Sequence, residues 1–392
     1  MHSTIVHVAM TALLGAIACA WVLLAAQLAA GMRRLPRVSS AKALPDAMLP
    51  SVSVLVSARD EAEKLPGAMR SLLKLDYPTY EVVAVDDRSR DGTPGILREF
   101  AAGCKRLRAI RVDELPKGWL GKPHGLETAY ENSNGDWLVF TDADVRYESQ
   151  ALRLAVSLAL ERGLDHLTLI PEMEMRGFWE RTVLNFFGLA GMMAARPWAV
   201  GDPTSNAYAG VGAFQLLRRS AYEQIGTHRK LAMEVVDDMK LGWLVKRAGL
   251  KSCTGLAEDL LHIRWHAGIG NIIRGTEKNF FAAAKFRPGI ALAQYAAILL
   301  LNVLPFAALP FVRGWAQAFA ATAAGIMVLI SGGVAARTGG TARYGLIGLT
   351  HPLGALVVVY MAARSMATTL RQRGIYWRGT FYPLDALRRG AV

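Results

Sequence analysis

The segment "FTDADV", residues 140–145, sets Asp142 and Asp144 one residue apart directly after the apolar run "WLVF". In an extended segment side chains alternate, so both carboxylates would share one face. Two like charges held there repel unless a cation lies between them or one takes a proton. Carboxylate oxygens suit a hard divalent ion, Mg2+ or Mn2+, which would keep open positions for phosphate oxygens. A second acidic pair, Asp237 and Asp238, opens "VVDDMKLGWLVKRAGLKS", where Leu241, Leu244 and Val245 share a helical face and Gly249 can end the helix. Taken alone, that pair is two acids favoured by a helix N-terminus. Two more polar clusters, "SARDEAEKL" and "VDDRSRDGT", also follow β-branched runs. Any one of them reads as a cap or turn, but three strand ends behaving alike point to a site.

The elements that would position these residues alternate. "SVSVLVSA", "YEVVAVDD", "LRAIRV", "WLVFTDAD" and "HLTLI" read as strands, with helical patterns such as "TPGILREFAAGC" and "SQALRLAVSLALERG" between them. Strands alternating with helices of that length predict an α/β domain with a mostly parallel sheet covered on both faces. Ligands bind such sheets at the carboxyl ends of the strands, where the charged clusters fall.

This stretch, about residues 48–288, is flanked by apolar sequence. Residues 5–30 carry no formal charge and are long enough to cross a bilayer core of about 30 Å. They lack a basic leader and read as an uncleaved transmembrane anchor, residues 1–32. Arg33, Arg34 and Arg37 follow at once, placing the next domain in the cytoplasm by the positive-inside tendency. Three further apolar stretches, near 290–311, 315–336 and 344–363, make up a membrane region over 289–364; the first holds Pro305 and Pro310 and is expected to be kinked or re-entrant. Residues 365–392 form a basic tail. Four full crossings would export its arginines, so one carboxy-terminal segment is expected not to cross. Residues 176–200, with Trp179, Phe186, Phe187 and Trp198, read as an interfacial helix through which a lipid could approach.

Composition narrows the alternatives. The 392 residues are 52% hydrophobic, with a formal net charge of +13, which suits nucleic acid, an anionic membrane surface or a phosphate-rich substrate. Many arginines flank apolar segments and acids crowd the expected cleft, an arrangement that argues against nucleic acid. Three scattered cysteines exclude a disulfide framework, and neither an HExxH spacing nor an internal repeat is present.

The ordered set "SARDEAEKL", "VDDRSRDGT", "GWLGKPHGL", "FTDADV", "YAGVGAFQLLRRSAYEQIG" and "VVDDMKLGWLVKRAGL" resembles the family 2 glycosyltransferases, whose catalytic domain has the GT-A fold. The resemblance covers about residues 50–285. It is most similar to the bacterial membrane-bound branch that includes ceramide glucosyltransferase-like, hopanoid-associated and carotenoid-modifying members. It implies a nucleotide-sugar donor, a UDP-sugar foremost, and a lipid acceptor at the bacterial inner membrane. Ala58 and Glu61 would line the nucleotide pocket, Asp86 with Asp87 would bind the uracil or ribose, and Lys122 would lie near the donor. Asp142 and Asp144 would be the DxD motif holding Mg2+ or Mn2+, with Asp144 the direct ligand. Asp238 would be the base that activates the acceptor hydroxyl, so the transfer would invert the anomeric centre. Gly210 to Phe214, Gly212 among them, would wall the acceptor, and Asp237, Arg264, Arg274 and Lys278 could face the acceptor or the diphosphate.

Two departures stand out. Asp60 replaces the family's usual Asn, and "LHIRW" puts Leu261 where a processive polysaccharide synthase has Gln or Arg. The processive alternative is disfavoured accordingly. A topology reporter fused after residue 375 is expected to give a cytosolic signal; a periplasmic signal there would remove this reading of the tail.

Overall fold

The structure is a computed structural model and describes residues 2–390. It divides into two compact units. The larger comprises Arg34–Glu174, Arg196–Arg264 and the chain from Gly374 onward. Its strands are β1 (Val52–Ala58), β2 (Tyr80–Asp87), β3 (Leu107–Val112), β4 (Trp137–Thr141), β5 (Arg146–Tyr147), β6 (His166–Met173), β7 (Gln215–Arg218) and β8 (Ser252–Ile263), followed by a separate hairpin, β9 (Gly374–Trp377) and β10 (Thr380–Pro383).

The first eight strands form one sheet in the order β3-β2-β1-β4-β7-β6-β8-β5. Pairs β3–β2, β2–β1, β1–β4 and β6–β8 are parallel, whereas β7 and β5 run against their neighbours. The expected mostly parallel α/β sheet is therefore present. Strand β1 is buried at every position, as a strand covered on both faces must be. Its side chains alternate between two cores. Val54 and Val56 join Leu152 and Ala155 of the helix Ala151–Glu161, while Leu55 packs with Leu126 of the helix Gly121–Glu131 and Leu241 of the helix Asp237–Arg247.

The second unit contains the chain up to Arg33, Met175–Ala195 and Trp265–Arg373. Among the described residues, three helical segments are long and apolar enough to cross a membrane: Thr4–Met32, Gly314–Thr338 and Ala342–Gln372. The stretch expected to be kinked is a shorter helix, Pro288–Asn302, that breaks at Val303 before Leu304–Ala308, as the ring of Pro305 requires.

Three boundaries differ from the sequence expectation. The stretch 48–288 is not one unit, because the helix Phe178–Ala195 buries Val183, Phe186 and Leu189 with the apolar helices, and Asn185 Nδ2 donates to the Ser331 carbonyl at 3.0 Å. At its start Phe178 and Trp179 remain exposed. The helix expected to end near 363 runs to Gln372, because Ser365 and Thr369 are buried on its inner face. The segment after it is not a loose basic tail but the β9–β10 hairpin and the helix Leu384–Gly390.

His166 of β6 is completely buried between Ser252 Oγ at 2.8 Å and Gln215 Oε1 at 3.2 Å. Burial lowers its pKa from 6.5 to about 4. As pH falls below 6.5, the unfolded chain takes up this proton first, so the contribution to stability is full above 6.5 and is lost towards pH 4. Between pH 6.5 and 5 this one group accounts for about 2 kcal/mol. Unfolding of the full chain in detergent at both pH values is expected to show a smaller loss in His166→Gln than in the parent. An equal loss in the two proteins would contradict this assignment.

Candidate active site

The acidic residues gather where β1, β2 and β4 end, and the sheet's own ladder draws the acceptor-side loop to them. Phe140 of β4 is in register with Gln215 of antiparallel β7. Just past that pair, the Asp142 N–H donates to the Gly212 carbonyl at 2.9 Å. Gly212 N–H in turn donates to Asp238 Oδ2 at 3.1 Å. A Cβ on Gly212 would stand 2.5 Å from Asp142 Oδ2 and 3.3 Å from Asp238 Oδ2. Only glycine leaves both carboxylates room at this point. Asp238 is oriented again by the Met239 N–H, 2.7 Å from Oδ1.

Two lysines divide the negative charge. Lys122, in the first turn of the helix Gly121–Glu131, lies 2.7 Å from Asp142 Oδ1 and 3.7 Å from Asp237 Oδ2. Burial opposes its charge, but Asp142, Asp237 and Asp238 outweigh that and raise the ammonium pKa above its ordinary value. Lys64 lies 2.7 Å from Asp144 Oδ2 and donates to the Arg264 carbonyl at 3.0 Å. Burial, then the Asp142 charge, push the Asp144 carboxyl above its ordinary pKa against the pull of Lys64. Glu61 follows the same logic: burial, then Asp144, raise it to about 7.

The alternation expected at "FTDADV" is not what brings these acids together. Strand β4 stops at Thr141, and residues 142–145 turn before β5. Asp142 and Asp144 therefore address different lysines, while the charge of Asp142 still raises the cost of charging Asp144.

At the other end of the site, Ala58 closes β1 in register with Asp86. Asp86 and Asp87 are buried and engaged by guanidinium groups. Arg111 Nη1 donates to Asp86 Oδ2 at 2.8 Å. Arg88 Nε donates to Asp87 Oδ1 at 2.7 Å, Arg378 Nη1 to Oδ2 at 3.3 Å, and Arg59 Nη1 to the Asp87 carbonyl at 3.1 Å. Burial, then the Arg88 charge, lower the pKa of Arg59.

Ala58, Glu61, Asp86, Asp87, Lys122, Asp142, Asp144, Gly212, Asp237, Asp238 and the backbone of Arg264 thus belong to one unit with the strand ends. Arg274 and Lys278 belong to the other unit, where Arg274 Nη2 donates to Asn271 Oδ1 and Lys278 Nζ to Asn279 Oδ1. Arg274 lies on the helix Ile269–Thr276, which ends before Lys278. The "LHI" of "LHIRW" closes strand β8. Arg88 and Arg378 were not anticipated. A signal for Arg378 was available in "IYWRGTFYP", where aromatic residues alternate around a two-residue turn.

The family model described as "Glycosyl transferase family 2" matches residues 53–226, which include Asp86, Lys122, Asp142, Asp144 and Gly212. The chain carries a family 2 glycosyltransferase domain. Asp237 and Asp238 lie beyond the matched residues of that domain. The chain is 23% identical over 237 residues to a 4,4'-diaponeurosporenoate glycosyltransferase of Staphylococcus haemolyticus, covering 60% of this chain and 62% of that protein. It is 36% identical over 112 residues to a beta-monoglucosyldiacylglycerol synthase of Trichormus variabilis, covering 28% of this chain and 24% of that protein. The aligned stretches thus span less than two thirds of these relatives' lengths. Among solved structures, a mannosyltransferase from Pyrobaculum calidifontis in complex with GDP-Man and Mn2+ aligns over 91% of this chain and 98% of that one, at 22% identity and a TM-score of 0.49.

Proposed function

We propose that this glycosyltransferase domain moves a sugar from a nucleoside-diphosphate sugar to a hydroxyl of a membrane lipid in one inverting displacement. The observation that carries the reading is the convergence of Asp142 and Asp238 on Gly212, which sets a donor-side acid beside an acceptor-side acid.

Asp238 is the base. Its carboxylate is half-buried and fixed by two backbone N–H groups, whereas Asp237 is buried and faces Lys122. The acceptor O–H gives its proton to Asp238 as the oxygen bonds to the anomeric carbon; the bond to the diphosphate oxygen breaks and its electron pair leaves with the diphosphate. Attack from the face opposite the leaving group inverts the centre.

Asp142 and Asp144 fit a divalent cation, Mg2+ or Mn2+. Their oxygens are hard donors, and burial, then neighbouring carboxylates, raise the pKa of Asp144 and Glu61, a cost that a cation would offset. Among the described residues no group of three His, Cys, Asp or Glu side chains is placed to hold a metal ion by itself. When bound, such an ion supplies Lewis-acid neutralisation of the leaving diphosphate. Lys122 holds Asp142 in place on the donor side, and Lys64 does the same for Asp144.

The lipid acceptor is supported by membrane-length helices in the same chain and by the exposed Phe178 and Trp179. The two curated relatives named above, one a diaponeurosporenoate and one a diacylglycerol enzyme, agree with it. An inner-membrane location with the domain on the cytoplasmic side follows from the arginines after the first helix. Between Trp265 and Arg373 two segments are long enough to cross, an even number that returns the chain to the domain's side. The β9–β10 hairpin belongs to the same unit as β1 and β2, which supports that reading.

Membranes containing the full chain, incubated with a panel of UDP- and GDP-sugars and Mn2+, are expected to yield a glycosylated lipid by mass spectrometry. Asp144→Asn and Asp238→Asn are each expected to lower transfer by at least about a hundredfold. Undiminished transfer in either would overturn that residue's role, and sugar attached covalently to Asp238 would contradict a single displacement.

A further inference from the structure

Within the unit of apolar helices, two arginines share one tyrosine. The Arg181 guanidinium stacks on the Tyr344 ring, 3.7 Å from its centre. That of Arg343 lies 5.0 Å from the same centre, and its Nη2 donates to the Tyr344 hydroxyl at 3.1 Å. Neither arginine has a carboxylate partner among the described residues. Two guanidinium charges held this close repel, and a stacked guanidinium keeps its N–H edges for an anion.

Helix directions give the pair its depth. Leu14 packs with Ala316 and Ala320, whereas Ile17, Ala18 and Trp21 pack with Ala323 and Met327. The helices Thr4–Met32 and Gly314–Thr338 therefore run the same way, and Thr338 emerges at the end that Arg33 follows. From there a 3₁₀ helix, Ala342–Thr350, turns back along its neighbour. Tyr344 lies against Gly339, Gly348 against Val328, and His351 Nδ1 is 2.6 Å from Ser331 Oγ. Ser331 is about 10 Å deeper than Thr338 at the rise of an α-helix. Residues 288–308 lead away from the Arg33 end, since the Leu301 carbonyl accepts from Trp21 Nε1 and Ala308 packs with Leu14. The helix His351–Gln372 climbs back towards that end, with the Tyr295 hydroxyl donating to the Ala362 carbonyl and the Phe281 N–H to Ser365 Oγ. The even number of crossings is then made by residues 288–308 and Gly314–Thr338.

Side chains three apart stand in line on a 3₁₀ helix, so Arg343, Leu346 and Leu349 form one row about 12 Å long. All three are exposed, Leu346 by 71% and Leu349 by 63%. The row carries charge at the Arg33 end and apolar surface at the deeper end, the pattern of an amphiphile. Exposed Phe178 and Trp179 start the helix that bears Arg181, as aromatic residues do at the headgroup level. We propose, resting on the membrane placement above, that this row binds a phospholipid with a net negative headgroup. Arg181 and Arg343 take the phosphate oxygens, and Leu346 and Leu349 lie along an acyl chain. Tyr344 is a positioning residue that holds the two guanidinium groups side by side.

Native mass spectrometry of the full chain in detergent, titrated with phosphatidylglycerol, phosphatidylcholine and inorganic phosphate, tests this together with flotation on vesicles of each lipid. The parent is expected to retain phosphatidylglycerol in preference to phosphatidylcholine. The double variant Arg181→Gln, Arg343→Gln is expected to bind phosphatidylglycerol roughly thirtyfold more weakly, and Leu346→Gln with Leu349→Gln to weaken it as well. Equal affinity of the parent for the two lipids, or unchanged phosphatidylglycerol affinity in the arginine variant, would overturn the site. Displacement of the lipid by an equal concentration of inorganic phosphate, or affinity unaffected by the leucine changes, would make this a site for free phosphate and overturn the lipid assignment. A parent chain that floats with neither kind of vesicle would instead overturn the membrane placement, and this site with it.

Discussion

Like charge confined to one edge of a sheet is the constraint on which the rest of the structure depends. Parallel strands deliver their carboxyl ends to a common rim, and here that rim receives Glu61, Asp142 and Asp144, with Asp237 and Asp238 brought in by the loop after β7 and the next helix. In a partly buried cleft such charges cost several-fold more than in water. Lys64 and Lys122 offset part of that cost, and the raised pKa of Asp144 and Glu61 shows what is left over. A cleft arranged this way stabilises further positive charge, which in the proposed reading a cation carrying a diphosphate would supply.

The cost of the cluster explains other features. Gly212 has no side chain because Asp142 and Asp238 occupy the space one would need. Lys122 sits at a helix start, where a cation is ordinarily disfavoured by the dipole, because three carboxylates face it. Asp86 and Asp87 sit at the same rim, yet each is taken up by arginine, so the rim is divided into an acidic half and a half rich in guanidinium groups. A donor with a diphosphate at one end and a neutral nucleoside at the other matches that division.

Much of this was legible beforehand. β-branched runs ending in acids predicted the sheet and pointed to its carboxyl-end rim as the candidate site, because burial on both faces leaves carboxylates their best place at strand ends. Asp142, Asp144 and Asp238 could be named for that reason together with the resemblance. Their geometry could not: the turn after Thr141 sends the DxD carboxylates to separate lysines, a tertiary outcome that strand periodicity does not encode. The carboxy-terminal hairpin was missed because its arginines were weighed as charge. Arg378 works instead through a turn that hands its guanidinium to Ser57 and Asp87, more than 290 residues away in sequence. The aromatic residues of 176–200 read as an interfacial helix within the stretch 48–288, whereas the helix Phe178–Ala195 belongs to the unit of apolar helices, with Val183, Phe186 and Leu189 buried.

The central claim is that the acidic rim is a seat for a divalent cation shared with a nucleoside diphosphate. Electron paramagnetic resonance titration of Mn2+ into the full chain, with and without UDP or GDP, tests it most directly, because it reads bound ion independently of turnover. One Mn2+ per chain is expected to be immobilised when the nucleotide is present, with Asp144→Asn losing that site. Equal Mn2+ immobilisation in the parent and in Asp144→Asn, or none in the parent, would contradict the account.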